Sequence, residues 1–253
     1  MPLNPFVLEV GNFMRYGIIS DIHSNLEALD AVLGDIQGQH IDAIICLGDI
    51  VGYGANPNEC VHRVRQLTDQ VIVGNHDHAA VGLTDISYFN PHAKRAVMWT
   101  TKVLSSDHFH YLAELPFTIQ REDLFFVHAT ASDPPAWNYL FSSQIALAEF
   151  EAFQGRCCFI GHSHQPMTFS LENRGLPQRI ENLTCSPQGR YIVNVGSVGQ
   201  PRDGDPRACY AIFDDQQGKL RLRRVAYDVQ ATQRKILQAG LPPVLALRLA
   251  HGE

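Results

Sequence analysis

The chain has 253 residues, 45% of them apolar and 18% charged, with a formal net charge of −6 and a pI of about 6.0. That length supports a sizeable core in one large domain or two small ones, and no stretch approaches the roughly 18 uninterrupted apolar residues that read as a membrane span. The acidic balance argues against a broad, sequence-independent nucleic-acid surface, which needs a basic face.

Residues 1–13 lack the basic start and long apolar middle of a signal peptide. Met14 stands directly before the first apolar run, so the expectation is a poorly tied-down N-terminal extension over 1–13 and a single domain over 14–253. A strand over 16–20 leads into Asp21-Ile22-His23. Ser24-Asn25-Leu26-Glu27 reads as a capping box, and Leu26, Leu29, Val32, Leu33 and Ile36 then share one helical face. A strand over 42–47 ends in Gly48-Asp49. A loop with Gly52 and Gly54 follows, then a helix from Asn56-Pro57 with Cys60, Val61, Val64 and Leu67 inward. A third strand over 70–73 runs into Gly74-Asn75-His76-Asp77.

Residues 78–115 read as helical, with Pro91 at one start, and 117–127 as a hairpin that ends in His128. A Pro-Pro loop with Trp137 and Tyr139 precedes a helix carrying Ile145, Leu147, Phe150 and Phe153. Strands are then expected over 157–160, 167–172, 191–195, 208–214 and 219–226, with Asp214–Gly218 as a hairpin connection and helices near 229–239 and 243–250. Alternating strand and helix in the first half favours a parallel sheet with covering helices and ligands at the carboxyl ends of its strands. The strand-rich second half adds a second sheet, packed face to face on the first. The fold class expected is α/β, an α/β/β/α sandwich in four layers with two mixed sheets.

Five apolar runs therefore end abruptly in metal-binding side chains, the last being Cys157–Ile160 before Gly161-His162-Ser163-His164. Hard or borderline divalent cations want carboxylate oxygen and imidazole nitrogen. Asp21 and His23 alternate by two, as do His162 and His164, so on a straight strand each pair would share one face. A bridging carboxylate, here Asp49, is the economical way to hold two ions about 3.5–4 Å apart. Asn75 offers a neutral oxygen. Gly48, Gly74 and Gly161 fit places where the backbone turns with φ > 0 or passes close to another group.

The set Asp21-x-His23, Gly48-Asp49-x-x-Gly52, Gly74-Asn75-His76-Asp77, His128 and Gly161-His162-x-His164 resembles the calcineurin-like metallophosphoesterase superfamily. Gly196-Ser197-Val198-Gly199 is similar to its small single-domain bacterial and archaeal phosphodiesterase branch. The resemblance implies one metal on Asp21, His23, Asp49 and His164, and another on Asp49, Asn75, His128 and His162. It also implies that His76 is no ligand but faces the leaving-group oxygen, with Asp77 orienting and charging its ring. The expected cofactor is two divalent ions, manganese by preference, with Fe, Ni, Co or Zn also suited to the donors. Gly52 and His23 depart from purple acid phosphatases, and Gly52-Tyr53-Gly54 departs from the Arg-Gly of protein phosphatases in this superfamily. Ala129 follows His128 where a glycine is usual.

The activity expected is hydrolysis of a phosphodiester, with a phosphomonoester or nucleotide as alternatives, by hydroxide between the metals with imidazolium at His76. Tyr53 and Arg202 are the candidate substrate-binding side chains. The Gly196–Arg207 turn is either a plain connection or the element that brings Arg202 to the phosphate, with Asn194 in support. Trp137 and Tyr139 either stack a nucleobase or pack on the surface, and Arg221, Arg223 and Arg224 read as a solvated strand face. Six cysteines without a C-x-x-C pair read as buried thiols of a cytoplasmic protein. The last helix caps either the core or a homodimer. The competing functions are a nuclease and a catalytically silent scaffold, the second opposed by the retention of every candidate ligand. An amidohydrolase barrel would place His-x-His on its first strand, not late in the chain.

Overall fold

A computed structural model describes residues 13–172, 175–180, 184–186 and 188–253, so all but Phe13 of the expected extension lies outside it. In chain order the elements are β1 (Arg15–Ile19), α1 (Leu26–Gln37), β2 (Ala43–Cys46), α2 (Pro57–Leu67), α3 (Asn75–Ala80), α4 (Pro91–Val103), α5 (Ser106–Ala113), β3 (Thr118–Arg121) and β4 (Leu124–Val127). They continue with α6 (Ser143–Ala152), β5 (Cys157–Ile160), β6 (Met167–Leu171), β7 (Gln178–Ile180), β8 (Arg190–Asn194), β9 (Ala208–Asp214), β10 (Lys219–Val225), α7 (Val229–Gln238) and α8 (Pro243–Leu247).

Two mixed sheets result. One has the order β10-β9-β1-β2, the other β3-β4-β5-β8-β6-β7. β1 runs parallel to β2, and β4, β5 and β8 run parallel to one another, so the ligand-bearing strand ends gather at one edge of each sheet. The sheets meet across Ile18, Ile45, Phe126, Phe159, Val193 and Phe213, all at most 1% exposed. Burying each such side chain is worth about 1.5–3 kcal/mol, so this layer fixes how the two sheets sit on each other. Helices α1 and α2 cover the outer face of the first sheet through Leu29, Val32, Cys60, Val61 and Val64. Helix α6 covers the second through Ala146 and Phe150. The α/β/β/α sandwich expected from the sequence is the one observed. Among the described residues no helix is long and apolar enough to cross a membrane.

Some local expectations need correction. Residues 70–73 form no strand beyond a single parallel bridge, Cys46 to Val71, because the next amide that would face β2, that of Gly74, is taken by the Asp77 carboxylate. The cap of α1 is Asn25 rather than Ser24, with its Oδ1 accepting from the Ala28 amide. The stretch 78–115 is broken by a turn over 81–90 and again at Leu104. β7 was not expected. Arg223 grips Asp35 of α1 and Arg224 grips Asp203, so two of the three arginines of β10 are paired across layers rather than merely solvated. Leu245 and Leu249 are buried with Ile236 of α7, so the end of the chain caps a core, while Leu247 faces out. All six cysteines are buried and free.

Candidate metal centre

The backbone runs on past the ends of β1 and β2 as a pair of bonded segments. The Asp21 amide donates to the Gly48 carbonyl, His23 to Asp49 and Ser24 to Ile50, at 2.9–3.0 Å. Asp21, His23 and Asp49 all have φ near +50°, and His162 and His164 near +60°. The strand-face explanation for the two x-spaced pairs is therefore wrong. β1 stops at Ile19 and β5 at Ile160, and left-handed turns aim the side chains. Gly74 and Gly161 are present for space, not for φ. A Cβ at Gly74 would run into Asp49, and one at Gly161 into Ser20 and Asp21. Gly48 has both reasons, with φ of +86° and the Gly74 backbone against it.

These turns gather six side chains into two groups that share Asp49. One holds Asp21, His23, Asp49 and His164, the other Asp49, His128 and His162, with donor atoms within 4.8 Å of one another in each. All six are at most 6% exposed. One oxygen of each carboxylate is occupied by backbone: Asp49 Oδ1 accepts from the His76 amide at 2.7 Å and Asp21 Oδ2 from the His162 amide at 3.0 Å. The other oxygens face imidazoles. Asp49 Oδ2 lies 3.5 Å from His23 Nε2 and 3.4 Å from His128 Nε2. Asp21 Oδ1 lies 3.3 Å from His164 Nε2 and has no hydrogen-bond partner among the described residues.

The rings are held from behind. His23 Nδ1 faces the Val51 carbonyl at 3.1 Å, His128 Nδ1 the Leu47 carbonyl at 2.7 Å, and His164 Nδ1 the Gln200 carbonyl at 2.6 Å. A carbonyl only accepts, so each Nδ1 carries the proton and each Nε2 a lone pair. His23 Nε2 and His164 Nε2 then point lone pairs at each other across 3.0 Å, beside a carboxylate. That arrangement is repulsive unless something positive stands there. His162 is reversed: its Nε2 donates to the Trp137 carbonyl at 2.9 Å, leaving Nδ1 free. Asn75, 7% exposed, keeps its Oδ1 without a partner, as does His128 Nε2. Orphaned acceptors, neutral imidazoles and two carboxylates make a donor set that fits divalent cations.

Electrostatics agree for His23, His162 and His164, whereas pairing with Asp49 draws the His128 ring toward its charged form. Burial pushes the Asp21 carboxyl up to about 7, with Asp49 adding and His128 opposing. Burial also works against the charge on Asp49 and on His128, but each stabilises the other, so Asp49 lies well below the usual carboxylate range and His128 rises to about 9. Burial lowers His23 and His164 well below the ordinary histidine value and His162 to about 3.

His76 sits at the edge of the cluster, 4% exposed, its ring 4.9 Å from His23, 4.4 Å from Tyr53 and 5.2 Å from Phe89 between centroids. Its Nδ1 has no partner among the described residues, so the expected pairing with Asp77 is absent. Neighbouring side chains on helix α3 point about 100° apart, and Asp77 turns the other way to accept from the Val51 amide at 3.0 Å and the Gly74 amide at 3.1 Å. It ties together two ligand-bearing turns. Burial lowers the His76 ring to about 4, with Asp49 opposing, so the free protein holds it neutral rather than as the expected imidazolium.

Tyr53 and Arg202 are side by side, the guanidinium 5.6 Å from the Tyr53 ring centre. The Gly196–Arg207 loop is built into the centre. Ser197 Oγ donates to the Asp21 carbonyl at 2.8 Å, and the Val198 and Gly199 amides donate to the Ser20 and Asp21 carbonyls. Asn194 accepts from the Gly196 amide and donates to Ser163 Oγ, both at 3.0 Å. Sequence reasoning missed the backbone carbonyls of Leu47, Val51, Trp137 and Gln200, which orient the four histidines; every residue has a carbonyl, so no side chain marks this role.

Comparison with known proteins agrees with this geometry. Residues 14–218 match the model of the calcineurin-like phosphoesterase superfamily domain. An uncharacterized protein of Methanocaldococcus jannaschii is 42% identical over 240 residues, which cover 93% of this chain and 97% of that one. The crystal structure of a metallophosphoesterase from Sphaerobacter thermophilus superposes with a TM-score of 0.83 at 42% identity, covering 96% of this chain and 100% of the other. A hypothetical protein from Pyrococcus horikoshii OT3, at 21% identity, shares the fold with a TM-score of 0.76, covering 94% of this chain and 98% of the other. The chain belongs to the calcineurin-like phosphoesterase superfamily.

Proposed function

We propose that this chain is a metal-dependent phosphoric ester hydrolase that cleaves phosphodiesters, working as one domain over 14–253 in the cytoplasm. The observation that carries the metal reading is the facing of His23 Nε2 and His164 Nε2 across 3.0 Å beside Asp21 and Asp49. Asp21, His23, Asp49 and His164 would hold one divalent cation and Asp49, Asn75, His128 and His162 the other, manganese being the ion to try first. Such a pair of cations supplies Lewis acidity, polarising phosphoryl oxygens and making water nucleophilic near neutral pH.

The chain's own groups do the rest. The Asn75 amide and the Arg202 guanidinium stabilise charge that grows on the phosphoryl oxygens. His76 stands where the leaving oxygen departs. A phosphoryl anion beside the ring favours its charged form and so offsets part of the burial that lowers its pKa. The ring can then hydrogen-bond the leaving oxygen and pass it a proton. Asp77 acts at one remove by fixing Val51 and Gly74, hence the turns on either side of His76.

A diester fits better than a monoester because one arginine flanks the site and a cleft for a second organic group opens beside it. A nuclease is disfavoured by the charge of −6 and by the absence of Lys or Arg among the described residues lining that cleft. The test is hydrolysis of bis-p-nitrophenyl phosphate beside p-nitrophenyl phosphate, by metal-stripped protein reloaded with Mn, Ni, Zn or Mg. Metal-restored diester turnover well above monoester turnover supports the reading. Monoester preference would make it a phosphatase, and two bound ions without turnover would favour a silent scaffold.

A further inference from the structure

A cleft of about 500 Å³ opens from Asn75, His76 and His162 between residues 84–93 and the 136–139 turn. That volume lies within the range of about 300–1,000 Å³ usual for small-molecule sites. Its walls are aromatic. Tyr139 stacks on His162 with centroids 4.1 Å apart and planes at 19°. Phe89 stands 5.2 Å from the His76 ring. Trp137 is anchored at both ends, its Nε1 donating to Thr84 Oγ1 at 3.3 Å and its carbonyl accepting from His162. Tyr88, at the lip, is 93% exposed, so no core packing accounts for it.

The charge is lopsided. Among the described residues the cleft lining contains no Lys or Arg, and its one carboxylate, Asp85, is bonded to Ser87 through that residue's amide and hydroxyl. Arg202 touches Tyr53, at the metal-centre end of the cleft, but is not itself part of the lining. A second phosphate is therefore unwelcome in the cleft, whereas a flat uncharged ring with hydrogen-bond donors on its edge is well matched. We infer that the cleft receives the nucleobase of a nucleoside phosphodiester, stacked on Tyr88 beside Trp137, with a hydrogen-bond donor on its edge toward Asp85. The inference rests on the phosphodiesterase reading for what the bound ester undergoes, but not for the binding of the base. Stacking of one base on an aromatic side chain is worth roughly 5- to 150-fold in affinity.

The test separates the two. The chain has two tryptophans, so Trp99→Phe leaves Trp137 as the only reporter. The metal-loaded full chain carrying that change is titrated with adenosine and with ribose, following tryptophan fluorescence. Adenosine should quench saturably and ribose should not, and Tyr88→Ser should weaken adenosine at least about fivefold. In parallel, kcat/KM for thymidine 5′-(p-nitrophenyl phosphate) should exceed that for methyl p-nitrophenyl phosphate about tenfold or more, a gap that Tyr88→Ser narrows by the same factor. No saturable quench by adenosine, or an adenosine affinity and a diester ratio both indifferent to Tyr88→Ser, would overturn the inference. Saturable quench that depends on Tyr88, with neither diester hydrolysed, would uphold the base site and sink the hydrolase reading alone.

Discussion

Gly52 is the most incisive place to separate the metal centre from the residue beside it. Its φ is +95°, and a Cβ there would lie 2.6 Å from His76 Nδ1, 3.0 Å from Cγ and 3.1 Å from Cβ. The His76 ring cannot swing away freely, being buried between Tyr53 and Phe89. Gly52→Ala therefore carries two costs: about 1–3 kcal/mol for an alanine held at that φ, and about 1–3 kcal/mol for overpacking against the ring. Only the second depends on histidine. In a His76→Ala background the two closest atoms are gone, so the same change should cost about 1–3 kcal/mol less than in the parent. Activity should follow the same logic. His76→Ala should lower kcat about 10²- to 10⁴-fold, least for leaving groups that need no proton, Gly52→Ala should approach that loss, and the double variant should be no worse than His76→Ala. Urea unfolding of the four proteins gives the coupling, bis-p-nitrophenyl phosphate gives kcat, and elemental analysis should find two metals per chain throughout. Additive stabilities, or a Gly52→Ala enzyme with parental kcat, would refute the placement of His76.

Asp49→Ala should remove both ions from the chain, since its Oδ2 faces His23 and His128 alike, and elemental analysis showing one retained ion would argue against a shared ligand. Asp77→Ala should destabilise the fold by about 1–3 kcal/mol for each of the two amides it leaves unpaired. A fully stable Asp77→Ala protein with the kcat of His76→Ala would instead restore a direct role on the ring. The Arg223 guanidinium, helped by the Tyr210 hydroxyl, holds Asp35 below the usual carboxylate range despite partial burial. A depressed native pKa stabilises above the unfolded value of about 4 and is lost as pH falls through the native one. Arg223→Met should therefore cost about 0.5–1 kcal/mol at pH 6 and progressively less toward pH 2, which denaturant melts across that range would check.

Much of the centre was legible because its chemistry resides in side-chain letters. Asp, Asn and His at the ends of apolar runs name their own donor atoms, and the structure gathers the Asp and His among them into two groups that share Asp49. The reason for their convergence was misread. Spacing by two suggested a strand face, but the strands end before the ligands and positive φ does the aiming. Nothing in a single letter announces φ > 0 at an aspartate or a histidine. Residues 70–73 show a similar limit: Val71, Ile72 and Val73 look like a strand, and only the structure shows that the pairing stops at a single bridge, with the Gly74 amide taken by Asp77. The Asp77–His76 pair failed because adjacency in sequence is divergence on a helix. Tyr88 carried no signal at all, since an aromatic in a loop is informative only once its exposure and its neighbours are known.

The two sheets explain why the ligands stand on turns beyond the strands rather than on the strands themselves. Asp21, His23 and Asp49 follow strands of the first sheet, and His128, His162 and His164 follow strands of the second. Packed sheets lie about 10 Å apart, too far for a carboxylate and an imidazole standing on opposite strands to share an ion. The chain has to leave each strand and bend across the gap. Five of these six residues do so with φ between 50° and 64°, a conformation that costs a residue bearing a Cβ about 1–2 kcal/mol. The bends are held by amide–carbonyl bonds between Asp21 and Gly48, between His23 and Asp49, and between Val198 and Ser20. The apolar layer of Ile18, Ile45, Phe126 and Phe159 fixes the sheets from which they spring. Separation of the sheets, strain in the turns and lone pairs facing across 3.0 Å are thus one problem. A protein gains nothing in stability from solving it this way, and the solution becomes economical only when divalent cations complete it.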